Sequence, residues 1–160
     1  MTKRRQIPRI ERVLALDTGS ACGWATVCRD GLLWTPPQFG SAHFPQLDRA
    51  RRWREFHDWL ADFVFEAKPD IIAYERGFHR GPGSLSLFGF HVVAEMVGDL
   101  HGVTVLAVAN ATIRKFSGVR HGKLMESAGL RGWRVADDHQ ADACFLAEYV
   151  ALGLYRAVAA

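Results

Sequence analysis

Ile10-Glu-Arg-Val-Leu-Ala-Leu-Asp17, followed by Thr18-Gly-Ser-Ala-Cys-Gly-Trp-Ala-Thr-Val-Cys28, decides how the rest of the chain is read. Val13 to Leu16 are four consecutive apolar residues, the mark of a strand covered on both faces, and such a strand belongs in the middle of a sheet. It ends on an acid. Ala21 to Cys28 is short and partly β-branched, and Arg29-Asp30-Gly31 turns it into a hairpin with Leu32 to Trp34. Pro36-Pro37 interrupts that strand, and Gln38 to Phe44 resumes it.

Beyond the hairpin, Leu47, Ala50, Trp53, Phe56, Leu60, Phe63 and Val64 fall at helical spacing, which predicts an amphipathic helix over Leu47 to Glu66. Its Arg49, Arg51, Arg52 and Arg54 are read as a solvated face, because Arg51 with Glu55 and Arg54 with Asp58 have i,i+4 spacing. Ile71 to Tyr74 is a second buried strand, followed at once by Glu75. Arg76 to Ser84 (RGFHRGPGS) is glycine-rich and basic and reads as an exposed loop. Leu85 to Leu100 is a helix apolar nearly all round, so one face covers the sheet and the other, expected to include Phe90 and Val97, needs a second partner. Val103 to Val108 is a third buried strand, Ala111 to Phe116 a short helix, and Lys123 to Ala128 another. Asp138 to Tyr155 closes the chain as a long apolar helix. A hairpin followed by alternating strands and helices predicts an α/β fold, a mixed sheet with helices on both faces.

With 160 residues, 49% of them apolar and 23% charged, the chain has the composition of one ordinary globular domain. Residues 1–9 read as a basic tail and 10–160 as that domain. No apolar run is long enough to span a membrane, and the N-terminus lacks the apolar segment of a secretory signal, so a cytoplasmic location is expected. Cys22, Cys28 and Cys144 show no paired spacing and read as reduced thiols rather than zinc ligands. The net charge of +3 is unremarkable. Its distribution says more: Arg114, Lys115, Arg120, Lys123, Arg131 and Arg134 crowd one stretch whose only acid is Glu126, a pattern that suits a phosphate backbone.

Asp17 and Glu75 each follow a buried strand, and in α/β sheets the carboxyl ends of strands face the ligand crevice. Asp17 also fits a plain Asp-Thr-Gly turn, but two strands delivering acids to one edge is a pattern. Asp138, His139 and Asp142 open the last helix at i,i+3 and i,i+4 spacing, where the helix dipole favours ionised carboxylates. Asp137 and Asp138 are also natural N-caps. Acids that converge in a small domain repel one another unless a cation lies among them, and oxygen donors suit Mg²⁺ or Mn²⁺. Two such ions about 3.5 to 4 Å apart would serve phosphodiester hydrolysis.

Leu14-Ala-Leu-Asp17-Thr-Gly-Ser-Ala-Cys-Gly-Trp-Ala25, Tyr74-Glu75-Arg-Gly-Phe78 and Asp137-Asp-His-Gln-Ala-Asp142-Ala143 together resemble the three acidic motifs of the RuvC family of Holliday-junction resolvases, in the same order and over nearly all the chain after Arg9. The resemblance implies an RNase H-like fold: a five-stranded mixed sheet with three parallel central strands and an antiparallel hairpin. It implies a Mg²⁺- or Mn²⁺-dependent endodeoxyribonuclease, with two ions per site and Asp17, Glu75 and Asp142 as catalytic metal ligands. His139 occupies the fourth metal position, with Asp138 as its rival. Phe78 maps onto an aromatic that engages the junction, Lys115 or Arg114 and Lys123 onto phosphate contacts, and Arg76, Arg80 and Arg120 extend the DNA-binding set. The partner implied is a four-way junction or other branched DNA, met by a homodimer whose two-fold axis matches the substrate's. Thr18 stands where the family usually has proline, Cys22 where it has threonine, and the compact basic segment is closer to phage-type members. An actin-like or sugar-kinase ATP binder also begins with a strand ending in Asp-x-Gly, but needs two such domains. A non-catalytic DNA-binding module is the other alternative.

Overall fold

The computed structural model describes residues 9–77, 81, 83–119 and 123–154. Six strands pair, in the order β3-β2-β1-β5-β6 with β4 also on β2. They are β1 (Arg12–Asp17), β2 (Ala21–Asp30), β3 (Leu33–Trp34), β4 (Gln38–His43), β5 (Ile71–Arg76) and β6 (Thr104–Ala109). The helices are α1 (Arg49–Ala67), α2 (Ser84–His101), α3 (Asn110–Ser117), α4 (Leu124–Leu130) and α5 (Asp138–Ala151). This is the expected mixed α/β architecture with one strand more than expected. The proline pair splits what reads as one returning strand: β3 touches only the far end of β2, while β4 pairs with β2 from Ala21↔His43 to Thr26↔Gln38.

β1 pairs antiparallel with β2 and parallel with β5, and β6 is parallel to β5. Of the three parallel strands expected at the centre, β1 and β5 are central and β6 is at the edge. Accordingly Thr104 and Ala107 of β6 are exposed, whereas Val13 to Leu16 and Ile71 to Tyr74 are buried.

Side-chain alternation divides the core into two layers. Val13, Ala15, Ile71 and Ala73 pack under α3, α4 and α5 with Ile113, Leu124, Trp133, Cys144 and Phe145. Leu14, Leu16, Ile72 and Tyr74 face α1 and α2, where Phe44, Phe56 and Phe90 form an aromatic cluster. All three cysteines are free, with Cys22 and Cys144 buried. Among the described residues no helix is long and apolar enough to cross a membrane.

The two-sided reading of α2 needs one correction. Phe90 and Val97 are fully buried in the core rather than outward. The outer stripe is Leu85, Phe88, Val92, Met96 and Leu100, between 41 and 69% exposed. α1 differs too. Asp48 caps it by accepting from the Arg51 amide at 2.8 Å, and neither Arg51–Glu55 nor Arg54–Asp58 closes to ion-pair distance among the described residues.

α1 and α2 meet closely at Gly89, where an added Cβ would lie 2.0 Å from the Trp53 ring. Trp53 cannot swing aside freely, because its indole N–H donates to the Ser86 carbonyl at 3.1 Å. Overpacking of this kind costs about 1 to 3 kcal/mol. Gly89→Ala should therefore lower the urea midpoint by a corresponding amount with an unchanged slope, and an unaltered midpoint would show that the helices are free to separate.

Candidate active site

The alternation that builds the core also aims the acids. In β1 the residues facing α5 are Val13 and Ala15, and Asp17 continues that series; in β5 they are Ile71 and Ala73, and Glu75 continues it. The parallel register Leu16↔Tyr74 places Asp17 beside Glu75 at the carboxyl edge of the sheet. Asp142 reaches the same edge from α5, whose first turn lies directly on β2. At Gly23, the partner of Asp17, an added Cβ would meet the His139 carbonyl oxygen at 2.1 Å. Only a residue without a side chain permits that approach.

His139 Nδ1 and Asp17 Oδ2 are 2.6 Å apart, and their bond raises the imidazole pKa to about 9 against a smaller opposing effect of burial. Asn110, the first residue of α3, donates through Nδ2 to Glu75 Oε1. Arg114 Nη2 is 3.2 Å from Asp142 Oδ2. The other oxygens of the two deeper carboxylates, Glu75 Oε2 and Asp142 Oδ1, are buried with no hydrogen-bond partner. Burial raises the pKa of Glu75, with the Asp17 charge adding to it and Asn110, Arg114 and His139 opposing it. Burial likewise pushes Asp142 up to about 8, reinforced by the charges of Glu75 and Asp17 and opposed by Arg114. In the metal-free protein this opposes the helix dipole, which favours an ionised Asp142. Asp142 lies beyond the first turn, where the dipole has faded, and burial prevails.

Asp17, Glu75, His139 and Asp142 are thus neighbours. Asp138 is not the N-cap. Asp137 is, accepting from the Gln140 amide at 2.8 Å, while Asp138 is exposed in the first turn and acts on Asp142 only through its charge. Among the described residues, no three His, Cys, Asp or Glu side chains stand in ready metal-binding geometry. The donor chemistry nonetheless suits a hard cation. Two buried, unpartnered carboxylate oxygens sit among acids that raise one another's pKa, the electrostatic condition a divalent ion relieves. Asp17, Glu75 and Asp142 would hold it, with His139 beside them.

Of the expected DNA contacts, Arg76 ends β5 exposed, Lys115 is exposed on α3, and Lys123 precedes α4, 3.5 Å from Glu126. Arg114 is turned inward to Asp142, so Lys115 is the one of that pair left facing outward. Phe78, Arg80 and Arg120 lie outside the described residues. Sequence reasoning missed Asn110. Its signal was its place, immediately after β6 at the edge where Asp17 and Glu75 stand.

No protein-family profile matches the sequence, and no curated protein does. Solved structures do. Thermus thermophilus RuvC superposes with a TM-score of 0.69 at 17% identity, covering 89% of this chain and 96% of that one. Its complex with a Holliday junction substrate gives 0.68 at 18% identity, with the same shares covered. The yeast mitochondrial Holliday junction resolvase gives 0.66 at 12% identity, covering 96% of this chain and 85% of that one. The fold is that of RuvC-like resolvases. The RNase H-like expectation is met at the level of architecture, with one further strand and with β6 at the edge.

In this RuvC-like sheet the site works against stability. A carboxylate whose folded pKa is raised binds more protons folded than unfolded, so stability falls as pH rises, here from about pH 4 to about 8 for Asp142. In chelator at pH 8, Asp142→Asn should therefore be more stable than wild type by about 0.5 to 2 kcal/mol, a gain typical of relieved active-site strain. The gain should vanish near pH 4. Thermal melts across that range check the sign, and a variant less stable at pH 8 would mean that the Arg114 pairing outweighs the burial cost.

Proposed function

We propose that this chain is a divalent-metal-dependent endonuclease that hydrolyses phosphodiesters in branched DNA, four-way junctions first among them. The observation that supports it is the meeting of Asp17, Glu75 and Asp142 at one sheet edge, two of them buried with an oxygen unpartnered. Support also comes from the fold, because among the solved structures it resembles are a yeast mitochondrial Holliday junction resolvase and Thermus thermophilus RuvC in complex with a Holliday junction substrate.

Mg²⁺ or Mn²⁺ bound there, one or two ions, would supply Lewis-acid activation of a water and of the leaving oxygen. The chain's own residues do the rest. Asn110 orients Glu75, Arg114 offsets the charge of Asp142, and the N-terminus of α5 presents His139 to Asp17. An imidazole with a pKa of about 9 must give up its proton before it can ligate a metal, so we assign His139 to holding Asp17 in the metal-free protein and to the fourth ligand position on loading. Exposed Arg76, Lys115 and Lys123 are the phosphate contacts, and Phe78, Arg80 and Arg120, which lie outside the described residues, are assigned to DNA binding by the family resemblance alone. The cytoplasmic location and phage-type affinity belong to the same proposal.

One observation favours a second reading, a DNA-binding module without catalysis: His139 and Arg114 already occupy one oxygen each of Asp17 and Asp142. Cleavage of a synthetic four-way junction, set against linear duplex, single strand and RNA:DNA hybrid, decides. Asp17→Asn should lose cleavage by at least 10²-fold, as loss of a transition-state contact does, while keeping junction affinity, which phosphate contacts dominate. Cleavage by that variant at the wild-type rate would refute the site.

Matched nicks require two sites, and the outward stripe of α2 is the surface we assign to a homodimer. Met96→Asp with Val92→Asp should give a folded monomer by light scattering that no longer makes paired nicks. A wild-type protein that nicks in pairs yet is monomeric at micromolar concentration, free and on DNA, would sink the assignment.

A further inference from the structure

The reversed charge order of α1 is the strongest feature that the proposed site leaves unused. Its first turns carry Arg49, Arg51, Arg52 and Arg54, and the rest of its polar face carries Glu55, Asp58, Asp62 and Glu66. The helix macrodipole favours the opposite arrangement, acids at the N-terminus and bases at the C-terminus. No acid stands in the first turn and no base in the last. Asp48 at the N-cap and Lys68 at the C-cap follow the dipole, so the helix ends are satisfied and it is the arginines of the first turns that run against it; a local rule broken without a structural gain points to function.

The four arginines are not equivalent. Arg52 is structural: its guanidinium donates to the Gln46 carbonyl and, at 3.2 Å, to the Ser86 hydroxyl, tying the start of α1 to the start of α2. Arg49, Arg51 and Arg54 are exposed, with no carboxylate at ion-pair distance among the described residues, but Arg49 stands seven residues before Phe56, in line with the apolar stripe, and only Arg51 and Arg54 share the solvent face. Their place is the second argument. β4 ends beside the β1–β2 turn that follows Asp17, with the Phe44 amide donating to the Ser20 carbonyl at 2.7 Å, and α1 begins five residues later. α2 follows Glu75 through the Arg76 loop. Both helix starts therefore stand at the carboxyl edge of the sheet, on the side of the site away from α3 and Lys115.

We propose that Arg51 and Arg54, which share the solvent face of α1 with Asp58 and Asp62, form a track for the phosphate backbone of one duplex arm of the branched substrate, opposite the Lys115–Lys123 side. This rests on the nuclease reading and adds to it a surface that sets where an arm leaves the site. The acids that follow confine the track, because Asp58, Asp62 and Glu66 repel a backbone that continues along the helix. A phosphate contact needs charge rather than a particular fork, so lysine serves in place of arginine.

The test measures four-way-junction affinity in chelator over a range of salt, for wild type, Arg51→Gln/Arg54→Gln, the corresponding double lysine variant, and Lys115→Gln. Each phosphate contact contributes about 0.9 to the slope of log affinity against log salt. The glutamine variant should lose about two units of slope and on the order of tenfold in affinity. The lysine variant should keep most of both, and Lys115→Gln should lose about one unit independently. In cleavage the glutamine variant should raise KM and leave kcat near wild type. Its melting temperature should equal or exceed wild type, since charges opposed to the dipole are removed; a lower one would make these arginines structural and overturn the proposal. A wild type that binds junctions with a slope the glutamine variant shares would overturn the track alone, whereas a wild type that binds no junction would overturn the nuclease reading beneath it.

Discussion

The contact on which the site depends is backbone against backbone. The first turn of α5 rests on β2 at Gly23, and Gly23 is the register partner of Asp17. A methyl group at that point would have to occupy the His139 carbonyl, and neither β2, paired on both sides, nor α5, buried along most of its length, can yield. Because the helix is held down there, His139 meets Asp17 and Asp142, one turn later, stands over the strand ends. Lift the turn by the thickness of a side chain and the acids no longer share an edge.

That placement creates an electrostatic conflict which the chain resolves only in part. Asp17 has His139, Glu75 has Asn110, and Asp142 has Arg114, one partner for each carboxylate. Each partner reaches one oxygen. The second oxygens of Glu75 and Asp142 stay buried and unpartnered, a state that costs roughly 1 to 3 kcal/mol per group in a structural setting. A site maintained for stability would replace such acids by apolar residues of similar size. Their presence is an argument for a ligand, from the energetics of the protein alone.

Much of this was legible in the sequence, and the reason is periodicity. Four apolar residues before Asp17 and four before Glu75 identify buried strands, and period-2 alternation then fixes which face each acid shares with the core. Tertiary partners were less visible. Asn110 carries no motif, and its role emerges only when β6 is placed beside β5. The edge position of β6 was hidden because Val103 to Val108 reads as apolar as a central strand. Phe90 and Val97 were assigned to the outside of α2 because a helix apolar all round offers no periodicity to orient it, whereas the structure orients it by packing Phe90 against Phe56. The raised pKa of Asp142 is likewise a property of depth, which spacing along a helix does not encode.

The two ends of the central strands behave differently, and the contrast locates function independently of any motif. At the amino end Asp70 accepts from the amides of Glu11 and Arg12 at 2.7 and 2.8 Å, and the Arg12 guanidinium donates to the Ala67 carbonyl that closes α1. Every element of that arrangement is stabilising: a carboxylate on backbone N–H groups, a cation on a helix C-terminus. At the carboxyl end the same physical rules are broken twice, by buried acids with orphaned oxygens and by arginines at the start of α1. One chain folds both ends with the same strands and the same residue types, so the difference is not an inability to satisfy charge. Among the described residues the frustrated carboxylates gather at one edge, and that edge is where a polyanion and a cation together would relieve them.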